Sequence, residues 1–353
     1  MKVAILNDTH AGVRNSSDIF INYQERFYSE VFFPYLKENN ITQILHLGDY
    51  YEHRKYINFK ALNANRKHFL DKLKLNGLHM DIIPGNHDVF YKNTNELCSL
   101  KELLGYYTGN VNIIMNPTVL KYGKTSVAAL PWINSENYSK SIEFVNNCKA
   151  TILAGHLELV GFEMMKGVIN AHGMDTTNFK RFDKVISGHF HTKSSIDNIH
   201  YLGSQMEFTW ADAHDPKYFH ILDTDTDIIE KVLNPITMFE KVVYNDEELC
   251  YDDYDFTKLD DKFVKVFVVK KKDPYFFDKF IDKIQDRDIH ELKIAESFDE
   301  FLGENVDDEG VLVEDTTELL DSYVDGVETE LDKPRIKHLM QSLLVEAQSM
   351  DIL

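Results

Sequence analysis

Five short stretches of this chain end in side chains that can bind a metal ion or move a proton. They are Asn7-Asp8-Thr9-His10, Gly48-Asp49, Gly85-Asn86-His87-Asp88, Gly155-His156 and Gly188-His189-Phe190-His191. One such stretch is an ordinary turn, since Gly reaches positive φ and Asx side chains bond nearby backbone. Recurrence is what points to chemistry. The candidate ligands are Asp8, His10, Asp49, Asn86, His156, His189 and His191. Three oxygen donors and four imidazoles suit two divalent first-row ions such as Mn, Fe or Zn, whereas Mg or Ca would favour oxygen alone.

Two such ions need a bridging group, and Asp49, alone at its position, is expected to supply it. Asp8 and His10 are two apart, as are His189 and His191, so each pair shares one face of an extended segment, with Phe190 turned into packing. His87 is left over beside Asn86. Asp88 is expected to bond its second ring nitrogen and favour the imidazolium, which would protonate a leaving alkoxide.

Positioning these residues requires rigid elements. Each stretch follows an apolar run readable as a buried strand: KVAIL, QILHL, MDIIP, TILA and KVIS. Between them lie residues at helical spacing, such as Phe27, Val31 and Leu36, or Leu62, Phe69, Leu70 and Leu73. The alternation predicts an α/β fold, in which ligands sit beyond the carboxyl ends of the strands. His46, inside a strand run, is expected to pack.

The texture changes beyond residue 215. Residues 262–272 read as a strand, 274–286 as a helix opened by Pro274, and ELKIAES as a further strand, together a small α+β domain. Residues 296–332 lack any Lys or Arg. Asp332 and Pro334 then open a final helix with Ile336, Leu339, Met340, Leu343, Leu344 and Ala347 on one face. The expected organisation is 1–215, 216–295, an acidic linker 296–332, and an amphipathic docking helix 333–353.

Of 353 residues, 43% are hydrophobic and 27% charged, as in ordinary globular chains. No apolar run approaches the roughly 20 residues that span a bilayer, so no membrane partner and a cytoplasmic location are expected. Cys98, Cys148 and Cys250 are far apart, which excludes a disulfide framework or zinc ribbon. The net charge of −20 argues against nucleic acid only until it is divided: residues 231–353 carry 15 basic and 32 acidic side chains, leaving the rest near neutral. Within 54–74, Arg54, Lys55, Lys60, Arg66, Lys67, Lys72 and Lys74 face a single acid, Asp71, with Tyr50, Tyr51 and Tyr56 close by. Such a segment can hold a phosphate backbone, with tyrosines for stacking. Lys262, Lys265 and Lys270 to Lys272 offer a second surface.

The ordered set NDTH, GD, GNHD, GH and GHFH, over about residues 1–210, resembles the calcineurin-like metallophosphoesterase superfamily. Within it the chain is similar to the nuclease subunits of SbcD-type double-strand-break repair complexes, and to their T-even phage branch in particular. The resemblance implies a two-sheet sandwich flanked by helices, a small capping domain, and a C-terminal helical segment that binds a coiled-coil, SMC-like ATPase. It also implies manganese-dependent cleavage of DNA phosphodiesters, as exonuclease and endonuclease, by a homodimer. Carried over by position, Asp8, His10, Asp49 and His191 would hold one ion, and Asp49, Asn86, His156 and His189 the other, with His87 catalytic.

One departure stands out. Where cellular members often place a His three residues after the bridging aspartate, this chain has Glu52, with His53 next to it as a candidate substitute. Protein phosphatases of the superfamily carry GDxVDRG and GNHE; GDYYEHRK and GNHD here weigh against a phosphomonoesterase. A non-catalytic scaffold would be expected to lose ligands, and all seven are present with His87.

Overall fold

The computed structural model describes residues 1–295 except 166, 167, 172, 248–250, 252 and 253, together with 333 and 335–337. Two six-stranded sheets face each other. The first contains β1 (Lys2–Leu6), β2 (Gln43–His46), β3 (His79–Ile82) and β4 (Val111–Ile113), all parallel. The second contains β5 (Thr118–Tyr122), β6 (Thr125–Leu130), β7 (Ile152–His156), β10 (Lys184–Gly188), β11 (Ser194–Ile196) and β12 (Ile199–Tyr201). Its strands β6, β7, β10 and β12 run parallel, with antiparallel β5 and β11 at the edges. Between β7 and β10 lies the short pair β8 (Glu163–Met165) and β9 (Val168–Ile169).

The side-chain alternation of the strands builds the layers. Val3 and Ile5 of β1 join Leu45, Val127, Ala129, Ile152, Ala154 and Ile186 in the core between the sheets. Ala4 and Leu6, on the opposite face, pack with Ile44, Met80 and Ile82 under helices. Those helices run over 18–38 and 59–75, each interrupted by a π-helical segment, Phe27–Phe32 and Arg66–Leu70. Phe27, Phe32, Phe69 and Leu73 are fully buried against the sheet, each contributing about 1.5–3 kcal/mol by leaving water. Ala128, Leu130, Leu153 and Val185 face the other way into a third cluster with Phe162, Phe179 and Tyr201.

The first sheet extends further than expected. β13 (Tyr218–Asp223) pairs antiparallel with β1, and β14 (Ile228–Leu233) pairs with β13. The expected boundary after residue 215 therefore falls inside the sandwich, and the small α+β region begins only beyond β14. It consists of β15 (Phe239–Asn245), β16 (Phe263–Lys270) and β17 (Glu291–Ala295) with the helix Pro274–Gln285. Asp273 caps that helix, its side chain accepting from Tyr275 N. Phe277, Phe280, Ile281 and Ile284 fill a separate core with Val242, Val264 and Val266. The buried Glu207 carboxylate anchors this domain to the sandwich, accepting from the amides of Met238 at 2.6 Å and Phe239 at 3.0 Å. The expected linker 296–332 and helix 333–353 lie outside the described residues, save Lys333 and residues 335–337, which are helical. No helix among the described residues is long and apolar enough to cross a membrane.

Candidate metal centre

The parallel strands β1, β2 and β3 of one sheet and β7 and β10 of the other release their chains at one edge of the sandwich. Asp8 and His10 follow β1, Asp49 follows β2, Asn86 and His87 follow β3, His156 closes β7, and His189 and His191 follow β10. The loops turn so tightly that Asp8, His10, Asp49 and His189 themselves adopt φ of 47°, 44°, 53° and 91°. Left-handed backbone at non-glycine residues costs of order 1–3 kcal/mol each and persists only where the surroundings hold it. Gly85 shows how closely the loops meet: a Cβ there would lie 2.1 Å from Asp49 Oδ1.

All seven sequence-derived candidates converge. Asp8, His10 and His191 bring one ligand atom each within 4.8 Å of one another, and so do Asp49, His156 and His189. His10 Nε2 and His191 Nε2 are 3.0 Å apart. Asn86 Oδ1 lies 3.0 Å from both His156 Nε2 and His189 Nδ1. Asp49 stands between the two groups, with Oδ2 3.3 Å from His156 Nε2 and 3.9 Å from His10 Nε2. Its Oδ1 accepts the His87 backbone N–H at 2.8 Å, while Asp8 accepts the His189 N–H.

The donor set fits divalent ions. Burial opposes charge on His10 and His156, yet nearby carboxylates, Glu52 first for His10 and Asp49 first for His156, raise both to about 9. Buried acidic oxygens thus draw positive charge to this spot, as a proton or as a divalent cation. Burial and a cationic neighbour depress the other two: His191 falls to about 4 beside His10, and His189 falls well below its usual value beside His156. Asp49 stays well below the usual carboxylate range because the surrounding imidazoles outweigh its burial. Phe208 packs edge-on against His10 and His191, and Trp132 packs against His156 and His189, limiting water around the cluster.

His87 joins the cluster, forming a group with His10 and Asp49. The expected contact from Asp88 to its ring is corrected. The fully buried Asp88 carboxylate instead accepts backbone amides of Gly85 at 2.9 Å, Tyr50 at 3.0 Å and Tyr51 at 3.2 Å. It ties the loop after β3 to the loop after β2; burial, with Asp49 nearby, raises its carboxyl to about 6. The partner of His87 Nδ1 is the Glu52 backbone carbonyl at 2.5 Å. His46 packs, as expected: its Nδ1 accepts from Gly48 N at 3.2 Å and its Nε2 meets Thr9 Oγ1 at 3.0 Å.

The basic segment divides. Lys55, Lys60, Arg66 and Lys67 are exposed and Arg54 is half-buried, but Lys60 is bound to Asp18 at 2.6 Å. Tyr50 and Tyr51 are buried, which corrects the expectation that they are available for stacking; Tyr50 donates to Asn65 at 2.8 Å. Tyr56 is exposed and stacks on His53, ring centres 4.5 Å apart. Burial, and the neighbouring His87 and His10, lower the His53 pKa against the pull of Glu52. Sequence reasoning missed Glu52 and Lys217 as supports. Lys217, buried, binds Asp212 at 2.6 Å and donates to the His191 carbonyl at 3.1 Å. Neither contact has a local sequence signal.

Residues 1–193 match the calcineurin-like phosphoesterase family. Over 350 residues, 98% of this chain and 99% of the relative, the chain is 30% identical to exonuclease subunit 1 of Enterobacteria phage T4. It is 28% identical over 149 residues, 40% of this chain and 36% of the relative, to a subunit of nuclease SbcCD from Staphylococcus epidermidis. The corresponding protein of Staphylococcus saprophyticus is 28% identical over 116 residues, 30% of this chain and 31% of that one. Five strand ends, one cluster of buried ligands and a match over most of the sandwich lead to one assignment: this chain belongs to the calcineurin-like phosphoesterase family.

Proposed function

We propose that the chain is the nuclease subunit of a DNA repair or recombination complex, hydrolysing phosphodiesters at a two-ion centre with manganese as the working metal. The observation that carries this reading is the convergence of Asp8, His10, Asp49, Asn86, His156, His189 and His191 on one buried cluster with His87 beside it. Asp8, His10, Asp49 and His191 would hold one ion, and Asp49, Asn86, His156 and His189 the other. Bound there, two divalent ions supply positive charge to the phosphoryl oxygens and lower the pKa of water toward neutrality.

The rest is done by the chain's own groups. Asp49 faces both ligand groups and orients the His87 backbone through its Oδ1. His87 Nδ1 must donate to the Glu52 carbonyl, which only accepts, so Nε2 is the atom that exchanges a proton with the leaving oxygen. Asp88 acts on catalysis by fixing the two loops rather than by touching His87. His53 with Tyr56, and Arg54, Lys55, Lys60, Arg66 and Lys67, are proposed to contact the DNA, Lys60 after release from Asp18.

DNA as substrate is supported by the similarity to an exonuclease subunit over nearly its whole length. The word subunit in the relatives' names supports a partner, which we propose to be a coiled-coil SMC-like ATPase bound by the C-terminal segment, with the nuclease itself a homodimer in the cytoplasm of the host cell. The test is cleavage of end-labelled duplex and single-stranded DNA with Mn²⁺, beside a His87→Ala variant and a phosphomonoester substrate. Metal-dependent DNA cleavage lost in the variant is expected. Turnover of the phosphomonoester with DNA left intact would overturn the nuclease reading in favour of a phosphatase.

A further inference from the structure

Glu52 occupies the position where the resemblance would place a histidine, and it touches two imidazoles by two different groups. Its Oε2 lies 2.7 Å from His10 Nδ1. Its backbone carbonyl lies 2.5 Å from His87 Nδ1. The two rings meet edge to face, centres 4.9 Å apart at 89°. A carbonyl oxygen can only accept, so at 2.5 Å His87 Nδ1 must carry hydrogen. The His10 Nδ1 contact is an ion-pair distance without hydrogen-bond alignment, and a carboxylate oxygen that close favours the form with hydrogen on Nδ1. Each ring then has Nε2 as its remaining nitrogen, and that of His10 lies 3.0 Å from His191 Nε2 and 3.9 Å from Asp49 Oδ2.

Glu52 is itself held in place. Its amide donates to the Ala11 carbonyl at 3.2 Å, and the two preceding amides, of Tyr50 and Tyr51, are gripped by Asp88. The residue therefore sits on fixed backbone between the loop that carries His10 and the loop that carries His87.

We propose that Glu52 is a positioning residue that sets the tautomer and orientation of both histidines, its side chain acting on the metal ligand His10 and its carbonyl on His87. The proposal rests on the two-ion reading above. A partner on the far nitrogen of a ligating imidazole fixes the ring and raises its basicity, and losing one typically weakens metal binding 10–100-fold. The side chain acts on one ion alone, since His10 belongs to one of the two ligand groups. The carbonyl is unaffected by substitution of the side chain, so the two roles are separable.

The test is titration of the metal-free full-length chain with Mn²⁺, following both binding events by competition with a metallochromic chelator. In Glu52→Ala one event is expected to weaken by about 10–100-fold and the other to remain. Glu52→Gln, which keeps an acceptor oxygen on His10, is expected to recover most of the loss. Selective ¹⁵N labelling of histidine is expected to show the Nδ1–H form of His10 in the wild type and a mixture of tautomers in Glu52→Ala. Should the alanine variant fail to fold, Glu52→Asp withdraws the oxygen by one carbon, and the same selective weakening is expected. Two unchanged binding events in a folded variant overturn the proposal for Glu52. A wild-type chain that binds no Mn²⁺ would instead overturn the metal-centre reading beneath it.

Discussion

Asp49 and His87 are joined through main chain and side chain: Asp49 Oδ1 accepts the His87 backbone N–H at 2.8 Å while Oδ2 faces His156 and His10. One carboxylate thus fixes the loop that carries His87, the proposed proton-transfer residue, and stands between the two candidate ligand groups. Asp49→Asn keeps an acceptor for the amide but removes the charge. Both Mn²⁺-binding events are expected to weaken by at least about tenfold, with near-complete loss of cleavage. A variant that weakens only one event would show that Asp49 does not bridge.

His87→Ala is expected to behave differently. Its Nδ1 faces the Glu52 carbonyl, and its Nε2 is proposed to exchange a proton rather than to hold a cation. Loss of a general acid typically costs about 10²–10⁴ in rate. Single-turnover cleavage should fall by that amount while Mn²⁺ affinity changes less than about threefold. Parallel loss of affinity would place His87 among the ligands instead.

Protons and divalent ions compete for the same cluster. In the metal-free protein His10 and His156 titrate at about 9 against 6.5 unfolded. A raised folded pKa adds stability that is fully present below 6.5 and is lost as pH climbs to about 9. Metal-free Tm should therefore drop between pH 7 and 9, whereas Mn²⁺ affinity should rise over the same window as protons leave. Calorimetry at both pH values, with and without Mn²⁺, checks both slopes, and equal slopes for the two forms would refute the competition.

Outside this cluster, His220 on β13, paired with Ile5 of β1, is buried with Nδ1 lacking a hydrogen-bond partner. Burial, with Lys231 and Lys193 nearby, lowers it from 6.5 to about 3. The unfolded chain binds this proton below 6.5 while the folded chain resists it until about 3, so stability is lost as pH falls through that interval. The cost approaches roughly 1.4 kcal/mol per pH unit. His220→Leu should narrow the Tm difference between pH 7.5 and 5.5; an unchanged difference would mean other groups dominate.

The convergence of the candidate site was legible because the apolar runs and the candidate ligands are adjacent in sequence. A parallel strand ends where its hydrophobic alternation stops, and Asp8, Asp49, Asn86, His156 and His189 all lie within a few residues of that point. The helix Pro274–Gln285 was legible for the same reason, marked by Pro274 and the period of Phe277, Phe280, Ile281 and Ile284. What escaped depends on distant pairing. β13 joins β1 across more than two hundred residues, which no local pattern announces and which displaced the domain boundary. Asp88 follows His87 directly, yet backbone turning sends its carboxylate to the amides of Tyr50 and Tyr51. Those two tyrosines looked available beside a basic segment and proved to be core.

The basic segment offers the sharpest separation of substrate class. Arg66 and Lys67 are exposed on the helical run over 59–75, and Arg66 is bonded to Asn63 on the same run at 2.9 Å. Cations that neutralise phosphates release counterions, so each lost contact lowers the slope of log affinity against log salt by about 0.9 on duplex DNA. A Lys67→Ala, Arg66→Ala double variant is expected to bind duplex DNA more weakly with a slope shallower by up to about 2. Turnover of a small phosphodiester, which reaches the metal cluster but not the helix, should be unchanged. If both substrates suffer equally, the residues support the fold. If neither does, DNA follows another face, and Lys270 to Lys272 at the end of β16, exposed as well, become the surface to substitute next.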